Sequence, residues 1–201
     1  MMTICYPVKH GLYLNITNRC PCRCTFCIRQ NGDGAYGSDS LWLDHEPSTA
    51  EICDALRQFD LTRFEEVVFC GYGEPMERLD VLLQVASFLK ENGAPPIRIN
   101  TNGLGDLICG EKCAVRLAGK IDAVSISLNA TCAEDYLAVT RSRFGLVSFD
   151  AMLSFARDCK QYVPRVMMTV VDQVTSPAEQ EKARAICADL GVTLRVRPLE
   201  T

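Results

Sequence analysis

Short β-branched runs alternate with longer helical patterns along the whole chain, and this alternation limits the fold more than any other feature. Six runs, at residues 12–17, 66–70, 97–101, 123–128, 165–171 and 193–197, are bounded by Gly, Pro or Asn and read as strands. Helical patterns fill 49–59, 77–92, 111–117, 133–139, 149–161 and 177–190. Ser48 with Glu51, Thr131 with Glu134 and Ser176 with Glu179 fit the Ser/Thr-x-x-Glu capping box at helix starts. Gly93 and Gly191 follow helix ends, where a left-handed residue is wanted. Strand–helix alternation implies parallel strands joined by right-handed crossovers. A closed eight-stranded barrel usually takes about 250 residues, and this chain has 201. The expected fold is α/β, a partial (β/α)6 TIM-like barrel open on one side, formed by a single domain over residues 1–201.

The strands have two unlike faces, because side chains at i and i+2 point the same way. Leu12, Leu14 and Ile16 oppose Tyr13, Asn15 and Thr17. Ile97 and Ile99 oppose Arg98, Asn100 and Asn102. Val124, Ile126 and Leu128 oppose Ser125, Ser127 and Asn129, while Leu194 and Val196 oppose Arg195 and Arg197. The apolar faces must meet the helices, so the polar faces line the lumen of the curved sheet. A dry lumen would leave these groups unsatisfied, so it is expected to hold water and polar ligands. Arg197 lies nearer the C-terminal end of its strand and is expected to meet an anion there through the paired N–H groups of its guanidinium.

The chain carries 12 cysteines. Its N-terminus lacks a signal-peptide pattern, and no apolar run approaches the ~18 residues needed to span a membrane. It is long enough to build a core without staples, so the thiols are expected to lie in a reducing, cytoplasmic setting rather than in a disulfide scaffold. Lys and Arg total 21 against 25 Asp and Glu, a net charge of −4 that argues against bulk nucleic-acid binding. Cys53, Cys159 and Cys187 fall within helical patterns and read as small core residues. The run Cys20-Pro-Cys22-Arg-Cys24-Thr-Phe26-Cys27 differs, because it follows the first strand directly. Its loop leaves the C-terminal edge of the sheet, where α/β proteins place their ligands. Thiolates suit zinc or iron–sulfur clusters. The second Cys/His pair of a zinc ribbon is missing, since Cys109 and Cys113 read as a helix start and His10 and His45 are isolated. The spacing also departs from the bacterial ferredoxin pattern.

Cys20-x3-Cys24-x2-Cys27, with the aromatic Phe26 before the last cysteine, resembles the CxxxCxΦC signature of the radical SAM superfamily. Cys70-Gly-Tyr-Gly-Glu-Pro75 resembles that family's GGEP-type segment, and Asn100-Thr-Asn-Gly103 and Ser125-Ile-Ser-Leu-Asn129 match it more loosely. The resemblance implies a [4Fe–4S] cluster held by Cys20, Cys24 and Cys27, with Cys22 a spectator. It implies S-adenosylmethionine (SAM) bound by Phe26, Gly71, Gly73, Glu74, Asn100, Asn102, Ser127 and Asn129. Glu74 would accept from the SAM amino group. Arg197 would meet the SAM carboxylate or an acidic group of the substrate. Reductive cleavage of SAM would then give a 5′-deoxyadenosyl radical that abstracts hydrogen. The partners implied are an external flavodoxin- or ferredoxin-like electron donor and a small-molecule or protein substrate, the latter making the chain an activase. Leu-Tyr-Leu-Asn-Ile-Thr-Asn-Arg-Cys, Ser-Leu-Asn-Ala and Arg141-Ser-Arg-Phe-Gly resemble the radical SAM proteins named for association with TatD-type nucleases.

Two readings from other classes compete. A zinc-binding interaction module explains the cysteines but not residues 71–75. An electron carrier explains a cluster but should ligate every iron. Gly32-x-Gly34-x-x-Gly37 matches a dinucleotide-binding string, yet no strand precedes it and the next helix starts well beyond it. It reads as a flexible flap near the cysteines.

Overall fold

The computed structural model describes residues 2–199. Seven strands form one sheet in chain order: β1 (Cys5–Val8), β2 (Gly11–Leu14), β3 (Glu66–Phe69), β4 (Ile97–Thr101), β5 (Ala123–Ser127), β6 (Arg165–Val171) and β7 (Thr193–Arg197). β2 to β7 are parallel, as the alternation predicts. The sheet is not closed, with β1 and β7 at its edges. β1 is an addition to the six expected strands. It pairs antiparallel with β2, with Pro7 opposite Leu12. Its four residues contain a proline, which removes a ladder donor and makes a strand hard to read; an edge position is where that loss is tolerated.

The helices are α1 (Thr49–Leu56), α2 (Leu79–Glu91), α3 (Gly105–Cys109), α4 (Ala133–Thr140), α5 (Val147–Tyr162) and α6 (Pro177–Leu190). The capping boxes at Ser48 and Ser176 form with both reciprocal hydrogen bonds. The one expected at Thr131 does not. Cys132 is the N-cap of α4, one residue later, and its thiol donates to Asp135 instead. The helix expected at 111–117 is also displaced. α3 ends at Gly110, which takes a left-handed conformation with φ 72°, and a 3-10 turn follows at Ala114–Leu117. α3 starts on Gly105, a poor helix former. A side chain there would press on Met76, Cys113 and Phe155, so packing overrides propensity.

The apolar strand faces meet the helices as expected. Leu12, Leu14, Ile97, Ile99, Val124, Ile126 and Leu128 are fully buried in one cluster with Leu82, Ala86 and Leu89 of α2 and Met152 and Phe155 of α5. Each such side chain contributes roughly 1.5–3 kcal/mol.

The opposite face needs a correction. Its lower half is filled by the protein's own groups rather than left open to ligands. Arg98, 8% exposed, donates to both oxygens of Glu66 at 2.9 and 2.6 Å, to Asn100 Oδ1, and to the Tyr13 hydroxyl at 3.4 Å. Burial works against the Arg98 charge, but Glu66 outweighs it and pushes the Arg98 pKa up. The same bond holds the Glu66 carboxyl down.

Among the described residues no helix is long and apolar enough to cross a membrane.

Arg98→Met should leave Glu66, a third exposed, without its partner and cost about 2–3 kcal/mol in urea denaturation. Arg98→Met combined with Glu66→Leu should regain most of that loss. A double variant no better than the single one would show that the pair is not the source.

Candidate active site

The cysteine loop leaves the sheet beyond β2. Residues 15–19 carry the chain past the end of the strand, and several groups fix them. The Thr17 hydroxyl donates to Glu46 at 2.6 Å, and Arg19 pairs with the same carboxylate at 2.7 Å. The Arg19 carbonyl accepts from Glu74 N at 2.8 Å. On the far side, Arg23 N and Thr25 N donate to the Thr140 and Val139 carbonyls, both at 2.9 Å, and Arg143 N donates to the Pro21 carbonyl. Those helix carbonyls lie in the last turn of α4, where no intrahelical donor remains for them. The left-handed Arg141, with φ 48°, ends the helix there.

Cys20, Cys22, Cys24 and Cys27 all line one cavity of ≈ 210 Å³ at the C-terminal ends of the strands. Cys22 is buried beside Cys20 and Cys24. The close approach of the three thiols holds Cys20 and Cys24 below their ordinary value and pushes Cys22 well above it. Asn102 Nδ2 also approaches the Cys22 sulfur, at 3.8 Å. Among the described residues no three His, Cys, Asp or Glu side chains are grouped to ligate a single metal ion. A cluster whose thiolates hold separate irons needs no such convergence.

The residues singled out from sequence divide into two groups. Phe26, Gly71, Asn102, Ser127, Asn129 and Arg197 line the cavity with the cysteines. Gly73, Glu74 and Asn100 do not. Asn100 accepts from Arg98 in the lumen below. A side chain at Gly73 would collide with the Thr17 and Arg19 carbonyls, and one at Gly71 with Asn15. These glycines therefore let β3 approach the base of the cysteine loop. Glu74 is 4% exposed, and its carboxylate accepts from Thr101 Oγ1 at 2.7 Å, Asn102 N at 2.7 Å and Met76 N at 3.1 Å. Rather than facing a ligand, it ties the Gly-Glu-Pro turn to the end of β4. Burial outweighs these donors and raises its pKa from 4.5 to about 7.

Asn129 is one polar group of the wall left unsatisfied. It is 6% exposed and left-handed with φ 61°, and its Oδ1 has no hydrogen-bond partner among the described residues. This is the geometry of a preformed acceptor, since a buried polar atom without a partner is costly.

The Gly32–Gly37 segment is not a loose flap. The Tyr72 hydroxyl donates to the Gly32 and Gly34 carbonyls at 2.7 and 3.1 Å, and Asn15 Nδ2 donates to the Leu41 carbonyl at 2.7 Å. Ala35 and Leu41 are buried with Tyr6, Val8 and Tyr72 in a second apolar cluster. Tyr6, Ala35, Tyr36 and Leu41 also line the cavity, so β1 and this segment form one of its walls. The only sequence signal for β1 is the Tyr6/Val8 alternation around Pro7.

An open, mostly parallel α/β sheet with a thiol-lined cavity at its strand ends defines the class of protein. The comparisons with known proteins name the family. The model of the radical SAM superfamily matches residues 14–183, and the chain belongs to that superfamily. GTP 3′,8-cyclase of Limosilactobacillus fermentum is 30% identical over 128 residues, 64% of this chain and 36% of that enzyme. GTP 3′,8-cyclase of Mycobacterium sp. (strain KMS) is 30% identical over 193 residues, 94% of this chain and 51% of that enzyme. The chain thus spans about a third and about half of the length of these two relatives. In fold it resembles Streptococcus suis SuiB bound to the precursor peptide SuiA, with a TM-score of 0.69 at 16% identity over 95% of this chain and 39% of that one. It also resembles a radical SAM methyltransferase from Sphaerobacter thermophilus, with a TM-score of 0.59 at 16% identity over 96% and 68%. The family uses a [4Fe–4S] cluster and SAM, and requires a substrate and an electron donor.

The raised Glu74 pKa gives a pH dependence of stability. Between pH 4.5 and 7 the folded chain holds a proton that the unfolded chain has lost, so stability should fall as pH rises across this window. The full effect is about 3 kcal/mol at most. Glu74→Gln cannot titrate and should flatten the decline in denaturation curves taken from pH 4.5 to 7.5. Parallel curves for the two proteins would place the ionisation elsewhere.

Proposed function

We propose that the cavity is the radical SAM site of this chain, with Cys20, Cys24 and Cys27 holding the [4Fe–4S] cluster. SAM would lie against Phe26, Gly71, Asn102, Ser127 and Asn129. The observation that carries the reading is that the three thiols of the CxxxCxxC motif open on the same cavity as the buried, unpartnered Asn129 Oδ1. Held by Cys20, Cys24 and Cys27, the cluster would supply the electron for reductive cleavage of SAM and so the radical chemistry of hydrogen abstraction from a substrate.

The chain's own residues prepare the site. Asn129 Oδ1 offers an acceptor to a SAM donor group, with its backbone already strained into place. The anchored 32–41 segment and Tyr6 wall the cavity and exclude water from it. Cys22, buried beside Cys20 and Cys24, packs between two ligand thiols without ligating iron. All 12 cysteines are free, which supports a reducing, cytoplasmic setting. The electron donor is a flavodoxin- or ferredoxin-like protein. The substrate is a small molecule or a protein, and the likeness to GTP 3′,8-cyclases supports the reaction class.

Anaerobic reconstitution followed by iron and sulfide analysis tests the ligand set. Cys20→Ala, Cys24→Ala and Cys27→Ala should each lose the cluster, and Cys22→Ala should retain most of it. Retention in Cys24→Ala with loss in Cys22→Ala would overturn the assignment. Asn129→Gly keeps the left-handed backbone and removes Oδ1. It should weaken SAM binding roughly threefold to tenfold, the worth of one hydrogen bond, while the cluster still assembles. Unchanged SAM affinity would count against this acceptor role.

A further inference from the structure

Arg197 also lines the cavity, and no described residue forms an ion pair with it. It lies on the lumen face of β7, paired with Val171 of β6 and two residues above Arg195. Its side chain is partly buried, its Nε is fully buried, and no hydrogen bond or ion pair reaches that nitrogen among the described residues. Arg195 and Arg98, both positive, act against its charge, and the Cys70 thiol and the Tyr13 phenol, both neutral, are its other titratable neighbours. Glu66, which acts on Arg98 and Arg195, already accepts from Arg98 with both its oxygens, and Asp172, whose N–H donates to the Arg197 carbonyl, accepts from Leu199 N through Oδ1. Burial depresses the Arg197 pKa, and the neighbouring guanidinium groups depress it further. This wall of the lumen therefore holds more positive than negative charge. An unpaired charge removed from water is costly, and the cost is relieved when an anion enters.

We propose that Arg197 receives an anionic group of the substrate, a pair of oxygens of the carboxylate or phosphate kind. The proposal rests on the reading of the cavity as the SAM site. The groups assigned to SAM lie in the cysteine loop after β2 and at the ends of β3, β4 and β5. Arg197 stands across the lumen, beside Val171, Pro198 and Leu199. A guanidinium offers two parallel N–H groups to two oxygens, so the receptor is specific for that shape as well as for charge. The substrate would be oriented by its anionic end, with its reacting carbon held toward the SAM side of the cavity.

The test uses cluster-loaded protein saturated with SAM, titrated calorimetrically with sodium pyrophosphate and with sodium malonate. Wild type, Arg197→Lys and Arg197→Gln are compared. At least one probe should bind wild type, lose about tenfold or more in Arg197→Gln, and weaken measurably in Arg197→Lys, which keeps the charge but not the fork. SAM affinity should stay within about twofold in all three proteins. The thermal midpoint of Arg197→Gln without probe should not fall, because the substitution removes an unpaired charge and no contact. The proposal is overturned if neither probe binds wild type, or if both bind Arg197→Gln equally well. It is also overturned if SAM affinity itself drops tenfold in Arg197→Gln, because the guanidinium then holds the SAM carboxylate. Cluster content and SAM binding are read on the same samples. Their absence in wild type would sink the reading of the cavity, and Arg197 would then be judged by the same two probes on the unloaded chain.

Discussion

Backbone hydrogen bonds to the cysteine loop are the constraint on which the rest of the site depends. Residues 20–27 include no strand or helix, and a loop of that kind would not hold three thiols in register by itself. It is gripped from two sides. Glu74 N holds the Arg19 carbonyl at the loop's start, and the last carbonyls of α4 take the Arg23 and Thr25 amides at its centre. A helix C-terminus leaves carbonyls without donors. Here those carbonyls satisfy a loop that needs acceptors, so two local deficits cancel in one contact.

The grip depends in turn on the Gly-Glu-Pro turn after β3. Gly73 lets that turn lie against the Thr17 and Arg19 carbonyls. Glu74 then fastens it to β4 through Thr101 and Asn102. Asn102 reaches on to the Cys22 sulfur. The loop after β2, the turn after β3 and the end of β4 are thus one hydrogen-bonded unit. A carboxylate this deep is held at a cost, which is why its pKa is raised. The motif that reads in sequence as a ligand contact works, in this structure, as the frame for one.

Much of this was legible in the chain. Alternation within the strands separated the buried faces from the lumen, and the spacing of Cys20, Cys24 and Cys27 marked the thiols that share the cavity. Ser48 and Ser176 announced their helices because a capping box is local chemistry. What escaped notice had a masked local signal or distant partners. β1 pairs with β2 across a short turn and is disguised by Pro7. The 32–41 segment is held by Tyr72 and Asn15, 26 to 40 residues away in sequence. Glu74 and Arg98 look alike in sequence, as charged residues near strand ends or on a polar face. Only the fold shows that one is engaged by backbone amides and the other by a carboxylate. Arg195 and Arg197 alternate identically, yet Arg195 is exposed while Arg197 lines the cavity.

The central claim is that this cavity brings a cluster and SAM into direct contact. Electron paramagnetic resonance of the anaerobically reconstituted, dithionite-reduced protein, recorded before and after adding SAM, tests it most directly. The account predicts a [4Fe–4S]+ signal whose g values shift on SAM addition, with 5′-deoxyadenosine and methionine recovered in equal amounts after turnover. A cluster signal unaltered by saturating SAM, with no 5′-deoxyadenosine formed, would contradict it.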